Sequence, residues 1–307
     1  MKKLIVIMSL VLLTLAACGT DEDSGAQDEN TITIEHELGE ATVVENPENV
    51  VVFDLGMLDT LDTLDIPVTG VPKDNLPSYL SHYESDEYEH AGGLKEPDFE
   101  AIYGMEPDLI IISGRQADLY EDLEEIAPTV YVETDSEAYM ESISHNVGII
   151  GDIFNVQDEV NEAIDEIQAE VNAVQELTSS SNETGLITLA TGGSVSAYGS
   201  GSRFGLIHDM LGVTPVDDSI EVATHGQNIS FEFIVEQDPD YLFVIDRDAV
   251  VEGEATAQET IENSLIENTT AYQNDQIFYL NPEYWYIADG GLQSVSEMVY
   301  EIKSAVE

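Results

Sequence analysis

The sequence predicts an α/β protein of two similar lobes joined by one long helix, and three observations carry that prediction. The first is an internal repeat: residues 99–115 read FEAIYGMEPDLIIISGR and residues 231–247 read FEFIVEQDPDYLFVIDR. At a fixed offset, Phe99 matches Phe231, Glu100 matches Glu232, Ile102 matches Ile234, Pro107 matches Pro239, Asp108 matches Asp240 and Arg115 matches Arg247. The second is a set of short apolar runs without polar alternation, as expected of parallel strands covered on both faces, with helical patterns between them. The third lies between the two copies. There Val156, Val160, Ile164, Ile167, Val171, Val174 and Leu177 recur at spacings of three and four, then TSSSN stops the pattern.

Taken in order, residues 1–17, MKKLIVIMSLVLLTLAA, read as a secretory signal: Lys2 and Lys3, an apolar run, then small residues. The run is shorter than the roughly 20 residues that cross a bilayer. Leu15, Ala16 and Ala17 lead into Cys18, the order of a bacterial lipobox, so Cys18 is expected to be acylated and to start the mature protein. Residues 18–30 lack large apolar side chains and are expected to form a solvated tether. An N-terminal lobe follows over residues 31–155, an interlobe helix over 156–180 and a C-terminal lobe over 181–307. Strands are predicted at 50–53 (VVVF), 66–71 (IPVTGV), 128–132 (PTVYV), 185–190 (GLITLA) and 276–280 (QIFYL). Each repeat copy adds a short helix stopped at Pro, then an apolar strand ending at a turn that presents an Arg. The central helix of about 22 residues should span about 33 Å and act as a strut.

Composition bounds the partners. There are 63 Asp and Glu against 8 Lys and Arg, for a formal charge of -55. A face that reads nucleic-acid phosphates is thereby excluded. With 43% hydrophobic residues the chain still builds a core, and a single Cys rules out a disulfide framework. In roughly molar salt the Debye length falls to about 3 Å and the self-repulsion of so many carboxylates is screened. A halophilic or haloalkaliphilic source is therefore expected.

In a chain so poor in cations, Arg115, Arg203 and Arg247 are the only Arg. Each follows a predicted strand or a glycine-rich loop, two are related by the repeat, and Arg203 lies in AYGSGSRFGLIHD. An Arg just past the carboxyl end of a buried parallel strand stands where open α/β sheets bind ligands. Three converging guanidinium forks would make a pocket for an oxygen-rich anion. The glycines of GSGSRFG fit neither the dinucleotide fingerprint nor a P-loop. No G-x-S-x-G elbow surrounds Ser194, Ser200 or Ser202. The six His (His36, His82, His90, His145, His208 and His225) form no His-x-His pair. No enzyme activity is expected.

The stretches VVVFDLGMLDTLDTL, GGLKEPDF, EPDLIIISGRQ, SRFGLIHDMLGV, ATHGQNISFEFI, DPDYLFVIDR and YWYIADGGL together resemble the ferric-siderophore-binding lipoproteins of Gram-positive ABC importers, of the petrobactin-type catecholate class. The resemblance spans nearly all of residues 31–305. It implies two Rossmann-like lobes joined by a rigid helix, the class III binding-protein fold. It also implies a lipid-anchored receptor at the extracellular face of the cell membrane that hands an iron chelate to an ABC permease dimer, with no intrinsic cofactor. Arg115, Arg203 and Arg247 would hold the anionic ferric-catecholate centre. Tyr286 and His225 fall where similar receptors supply a phenolate and an imidazole to iron with open coordination positions. For Tyr286 the alternative is a pocket wall with Tyr284 and Trp285, and for His225 a loop cap. Glu100 and Glu232, expected to face away from the Arg-bearing strand ends, would dock on the permease, with uninvolved surface carboxylates as the alternative. Haem, cobalamin or a divalent metal ion remains the alternative cargo.

Overall fold

The computed structural model describes residues 30–307; the signal and lipobox expectations, Cys18 included, lie outside them. The described chain opens with an antiparallel hairpin of β1 (Thr31–His36) and β2 (Gly39–Val44). The N-terminal lobe is then a five-stranded parallel sheet of β3 (Val50–Val52), β4 (Gly70–Val71), β5 (Glu89–His90), β6 (Leu109–Ile112) and β7 (Thr129–Tyr131). Their order across the sheet is β5-β4-β3-β6-β7. The chain thus winds outward in both directions from the β3/β6 pair. Every residue of β3, β6 and β7 is buried, which accounts for the unbroken apolar runs.

The C-terminal lobe is built on β8 (Thr184–Thr191), β9 (Ser194–Tyr198), β10 (Thr214–Pro215), β11 (Gln227–Ile229), β12 (Tyr241–Asp246) and β13 (Ile277–Leu280). The order is β11-β9-β8-β12-β13, with β10 beside the start of β8. β8, β12 and β13 are parallel, and β9 is antiparallel to both β8 and β11. Here the switch in winding direction falls between β8 and β12. All the predicted strands are present, although only Gly70 and Val71 of the 66–71 run pair as strand.

The repeat has a structural meaning beyond its Arg. Glu106 and Asp238, at the same offset, both adopt left-handed backbone (φ 48° and 45°) between the helix end and the Pro. The Asp after each Pro then accepts main-chain N–H groups where the neighbouring strand begins. Asp108 Oδ2 takes Asn49 N at 2.9 Å, before β3, and Asp240 Oδ2 takes Thr184 N at 2.8 Å, in β8. Each copy therefore ties two adjacent strands together at their amino edge.

The long helix runs over Gln157–Thr178, 22 residues as expected. A helix not foreseen, Tyr139–Phe154, precedes it and ends at left-handed Asn155. The two helices pack together, and the far end of the long one reaches the other lobe, where Thr178 Oγ1 donates to Leu211 O at 2.8 Å and Gln175 to Met210 O at 2.7 Å. The last helix, Leu292–Val306, packs against the long helix and also against the N-terminal-lobe helix Leu55–Thr63. One continuous apolar core runs from Val50, Val52 and Leu58 through Val160, Ile167 and Val171 to Ile187, Phe243 and Val299. The lobes share this core, so large relative movement would expose it. Among the described residues, no helix is long and apolar enough to cross a membrane.

Candidate functional site

The two repeat-related Arg stand at the two points where strand order reverses, the position at which open α/β sheets present ligand crevices. Arg115 follows β6 across a Ser-Gly turn, and Arg247 follows β12 directly. Beside each is a buried polar residue at the same repeat position. Gln116 donates to Leu94 O and accepts from Ser113 N; Asp248 accepts from Thr191 Oγ1 at 2.8 Å and Gly192 N at 2.7 Å. Burial pushes the Asp248 carboxyl up, but those hydrogen bonds, one from Thr256 and the Arg247 charge outweigh it and hold it below the usual range.

All three guanidinium groups converge on one residue, Tyr286. Arg203 Nη2 donates to its carbonyl at 2.6 Å and Arg115 Nη2 to the same oxygen at 3.2 Å. Arg247 Nε donates to its phenol at 2.9 Å and Nη1 to Thr191 Oγ1 at 3.3 Å. The Tyr286 ring lies under Arg203 at 4.4 Å and near Arg247 at 5.8 Å, within the range of cation–π attraction. Tyr286 owes this double presentation to a π-helical turn, Glu283–Ile287, a rare geometry that often marks functional sites. The three Arg and Tyr286 line a cleft of about 460 Å³, closed by Asn75, Leu94 and Lys95 from one lobe and Val250 and Val251 from the other. An adjoining hollow of about 420 Å³ shares Arg115 and Arg203 and is walled by Asp54, Glu133, Thr224 and Asp289. Burial raises the Asp54 carboxyl above its ordinary value, against hydrogen bonds from Met57 N and Ser113 and the Arg115 charge. Asp289 lies 3.8 Å from Arg203.

The other expected residues are placed differently. Trp285 does not face the cleft: it is fully buried, and its indole N–H donates to Glu301 Oε2 at 2.7 Å. Successive residues of the turn point to different sides, so Tyr286 and Trp285 cannot share a wall. His225 is exposed on the loop before β11, and only its neighbour Thr224 borders the hollow. Glu100 and Glu232 are both exposed, in the first turns of helices Phe99–Gly104 and Phe231–Gln237, capped by Asp98 and Ser230. Hydrogen bonding to the Glu232 main chain and to Ser230 holds the Glu232 carboxyl below its ordinary value. They do not face away from the Arg. Asp98 N bonds Ala91 O just beyond β5, and Ser230 follows Ile229, whose β9 partner Val195 lies opposite Ala190, one residue before the end of β8. Helices preceding parallel strands run opposite to them, so both start at the carboxyl edge that carries the Arg.

Lys95, exposed at the cleft mouth, was missed, although the scarcity argument applied to Arg reaches it too. Of the other described Lys, Lys73 is tied to Ser85 O and Lys303 to Glu170, each at 2.7 Å. Asp54 and Asp289 gave no signal among so many carboxylates. Among the described residues no group of His, Cys, Asp and Glu is arranged to hold a metal ion.

Two α/β lobes, a helical strut and a ligand cleft at paired switch points define a solute-binding protein. Residues 50–284 match the periplasmic binding protein family, and the chain belongs to it. Its relatives include the petrobactin-binding protein YclQ of Bacillus subtilis, 40% identical over the whole of both chains. Another is the ferric-anguibactin-binding protein FatB of Vibrio anguillarum, 34% identical over 97% of this chain and 95% of that one. The crystal structure of YclQ superposes with a TM-score of 0.88 at 42% identity, covering 91% of this chain and 99% of that one. The periplasmic catecholate-siderophore-binding protein VctP of Vibrio cholerae gives 0.85 at 36% identity, covering 90% and 100%.

Proposed function

We propose that this protein is the receptor of an ABC iron importer, held at the extracellular face of the cell membrane by acylated Cys18, and that its cargo is a ferric catecholate siderophore of the petrobactin type. The observation that carries this reading is the convergence of Arg115, Arg203 and Arg247 on Tyr286 between the lobes. Catecholate oxygens around Fe(III) leave an anionic complex edged with acceptors, and permanently charged planar forks are suited to it. Lys95 adds a point charge at the rim. The donors are already aimed at oxygen atoms of Tyr286, so an arriving chelate meets an ordered set and loses less entropy on binding.

The Tyr286 phenol, held by Arg247 in the cleft, is the oxygen this reading offers to iron when the chelator leaves positions open. His225 would have to be brought in by its loop. Glu100 and Glu232, one on each lobe at the carboxyl edge of its sheet, suit a permease dimer with basic recesses. The receptor binds and delivers; no catalytic step is assigned. Against a divalent metal as cargo stands the choice of donors, since Zn(II) sites are built from imidazole, thiolate and carboxylate and three guanidinium groups would repel a free cation. Haem or cobalamin is the second reading, carried by the cleft's apolar Val250, Val251 and Leu94.

Trp285 and the 14 Tyr provide the test. Protein fluorescence is titrated in high salt with ferric catecholates, ferric hydroxamates, haem and cobalamin. Saturable quenching by catecholates at the lowest concentration is expected; stronger binding of haem or cobalamin would replace the reading.

A further inference from the structure

The last helix of the chain is capped from the opposite lobe. Asp59, 1% exposed on helix Leu55–Thr63, accepts the backbone N–H groups of Gln293 at 2.9 Å and Ser294 at 2.7 Å, and the phenol of Tyr79 at 3.2 Å. Its neighbour Thr60 accepts Leu292 N at 3.3 Å. These are N–H groups that a helix start cannot satisfy internally, and a carboxylate there also meets the positive end of the helix dipole. Gly56 and Gly291 let the two backbones touch at this point. A Cβ on Gly291 would lie 2.4 Å from Gly56 O, and one on Gly56 2.5 Å from Asp289 O.

The segment between this cap and the π-helical turn is the one that carries the cleft's central residue. Its upstream end is also held by the N-terminal lobe, because Glu283 accepts Ser78 N at 2.8 Å and Ser78 Oγ at 2.6 Å. Residues 283–291 thus form a strap fastened at both ends to one lobe. In its middle are the Tyr286 carbonyl, shared by Arg115 and Arg203, and the phenol held by Arg247.

We propose that Asp59 is a positioning residue for the arginine cleft: by capping Gln293 and Ser294 from across the lobes it fixes the strap, and with it the point on which all three guanidinium groups are registered. Asp59 touches no ligand; it acts through the strap. The affinity part of this inference rests on the ferric-catecholate reading, whereas the placement of the strap does not.

The experiment compares wild type with Asp59→Ala, Asp59→Asn and a control, Asp240→Ala, which loses the β8 tie at the far edge of the sheet. Backbone hydrogen exchange is followed over residues 284–294, together with Tm and ferric-catecholate affinity in high salt. Asp59→Ala is expected to speed exchange across the strap and to weaken affinity about tenfold, the scale of a lost helix cap. Asp59→Asn, which keeps one acceptor oxygen, should fall between. In an Arg115→Ala, Arg203→Ala background the effect of Asp59→Ala on affinity should shrink to about twofold or less, because the register no longer has a user. Unchanged exchange in the strap would overturn the proposal. So would an affinity loss no greater than that of Asp240→Ala at equal loss of Tm, or full additivity with the Arg substitutions. If wild type binds no ferric catecholate, the ligand reading fails alone and the exchange data still decide the role of Asp59.

Discussion

Replacement of Arg203 by Ala probes the cleft most directly, because Arg203 makes the shortest contact to Tyr286, stacks on its ring and pairs with Asp289. A hydrogen bond from a charged donor contributes about 1.5–3 kcal/mol, which corresponds to a rise in Kd of roughly 13- to 160-fold. The Arg203 side chain is 31% exposed, so solvent screening argues for the lower half of that range. A second effect acts in the same direction: Asp289 is left without its counter-charge and repels an anionic cargo. Arg203→Lys restores the charge but not the planar fork, and should recover only part of the loss. The assay is fluorescence titration with a ferric catecholate at roughly 1 M NaCl, where the Debye length is about 3 Å and the remaining carboxylates are screened from the comparison. A Kd within about twofold of wild type for Arg203→Ala, with Arg115→Ala and Arg247→Ala behaving alike, would refute the pocket assignment, since about 0.4 kcal/mol is below the contribution of any charged hydrogen bond.

Four other outcomes are expected. Tyr286→Phe removes the acceptor of Arg247 Nε, and should alter the ligand-to-metal absorption band only with chelators that leave iron positions open; a change with saturating chelators too would make the phenol a wall and not a ligand. Glu100→Ala with Glu232→Ala should leave chelate affinity unchanged and reduce uptake in cells, and normal uptake would remove the docking role. Burial raises the Asp59 carboxyl from 3.8 to about 6, against hydrogen bonds from Gln293 and Ser294. Between about pH 4 and 6 the unfolded chain ionises this group while the folded one keeps its proton, so the Asp59 contribution falls by about 3 kcal/mol as pH rises through that window. Asp59→Asn should flatten that part of the profile of unfolding free energy against pH, and an unchanged slope would contradict the shift. Finally, the unfolding midpoint should rise with NaCl up to the molar range, and a midpoint independent of salt would reject a halophilic origin.

The parts of the molecule that were legible in the sequence are those fixed by local periodicity or by duplication. β3, β6, β8 and β12 announce themselves because both faces are buried, and the helix Gln157–Thr178 because one stripe is. The Arg were legible because cations are so scarce that each one carries information. The hairpin β1–β2 was not: its burial alternates weakly, with only Ile34, Ala41 and Val43 buried. Trp285 was misplaced because an aromatic run says nothing about which side of a turn each ring takes, and the π-helical turn separates it from Tyr286. The orientation of Glu100 and Glu232 is set by the direction of each helix relative to the strand after it, which the matching of positions in the repeat does not by itself express. Asp59 was hidden for the opposite reason to the Arg: one carboxylate among 63 has no contrast until its partners in another lobe are seen.

The ties made by Asp108 and Asp240 lie at one edge of each sheet and the arginines at the other. Fastening the strand starts and lining the cleft between the lobes thus fall to different residues. The loops after β6, β9 and β12 can therefore change while the strand starts, with their left-handed residue, Pro and Asp, continue to secure the twin sheets. Descendants of such a receptor would be expected to diverge at the rim and stay alike underneath.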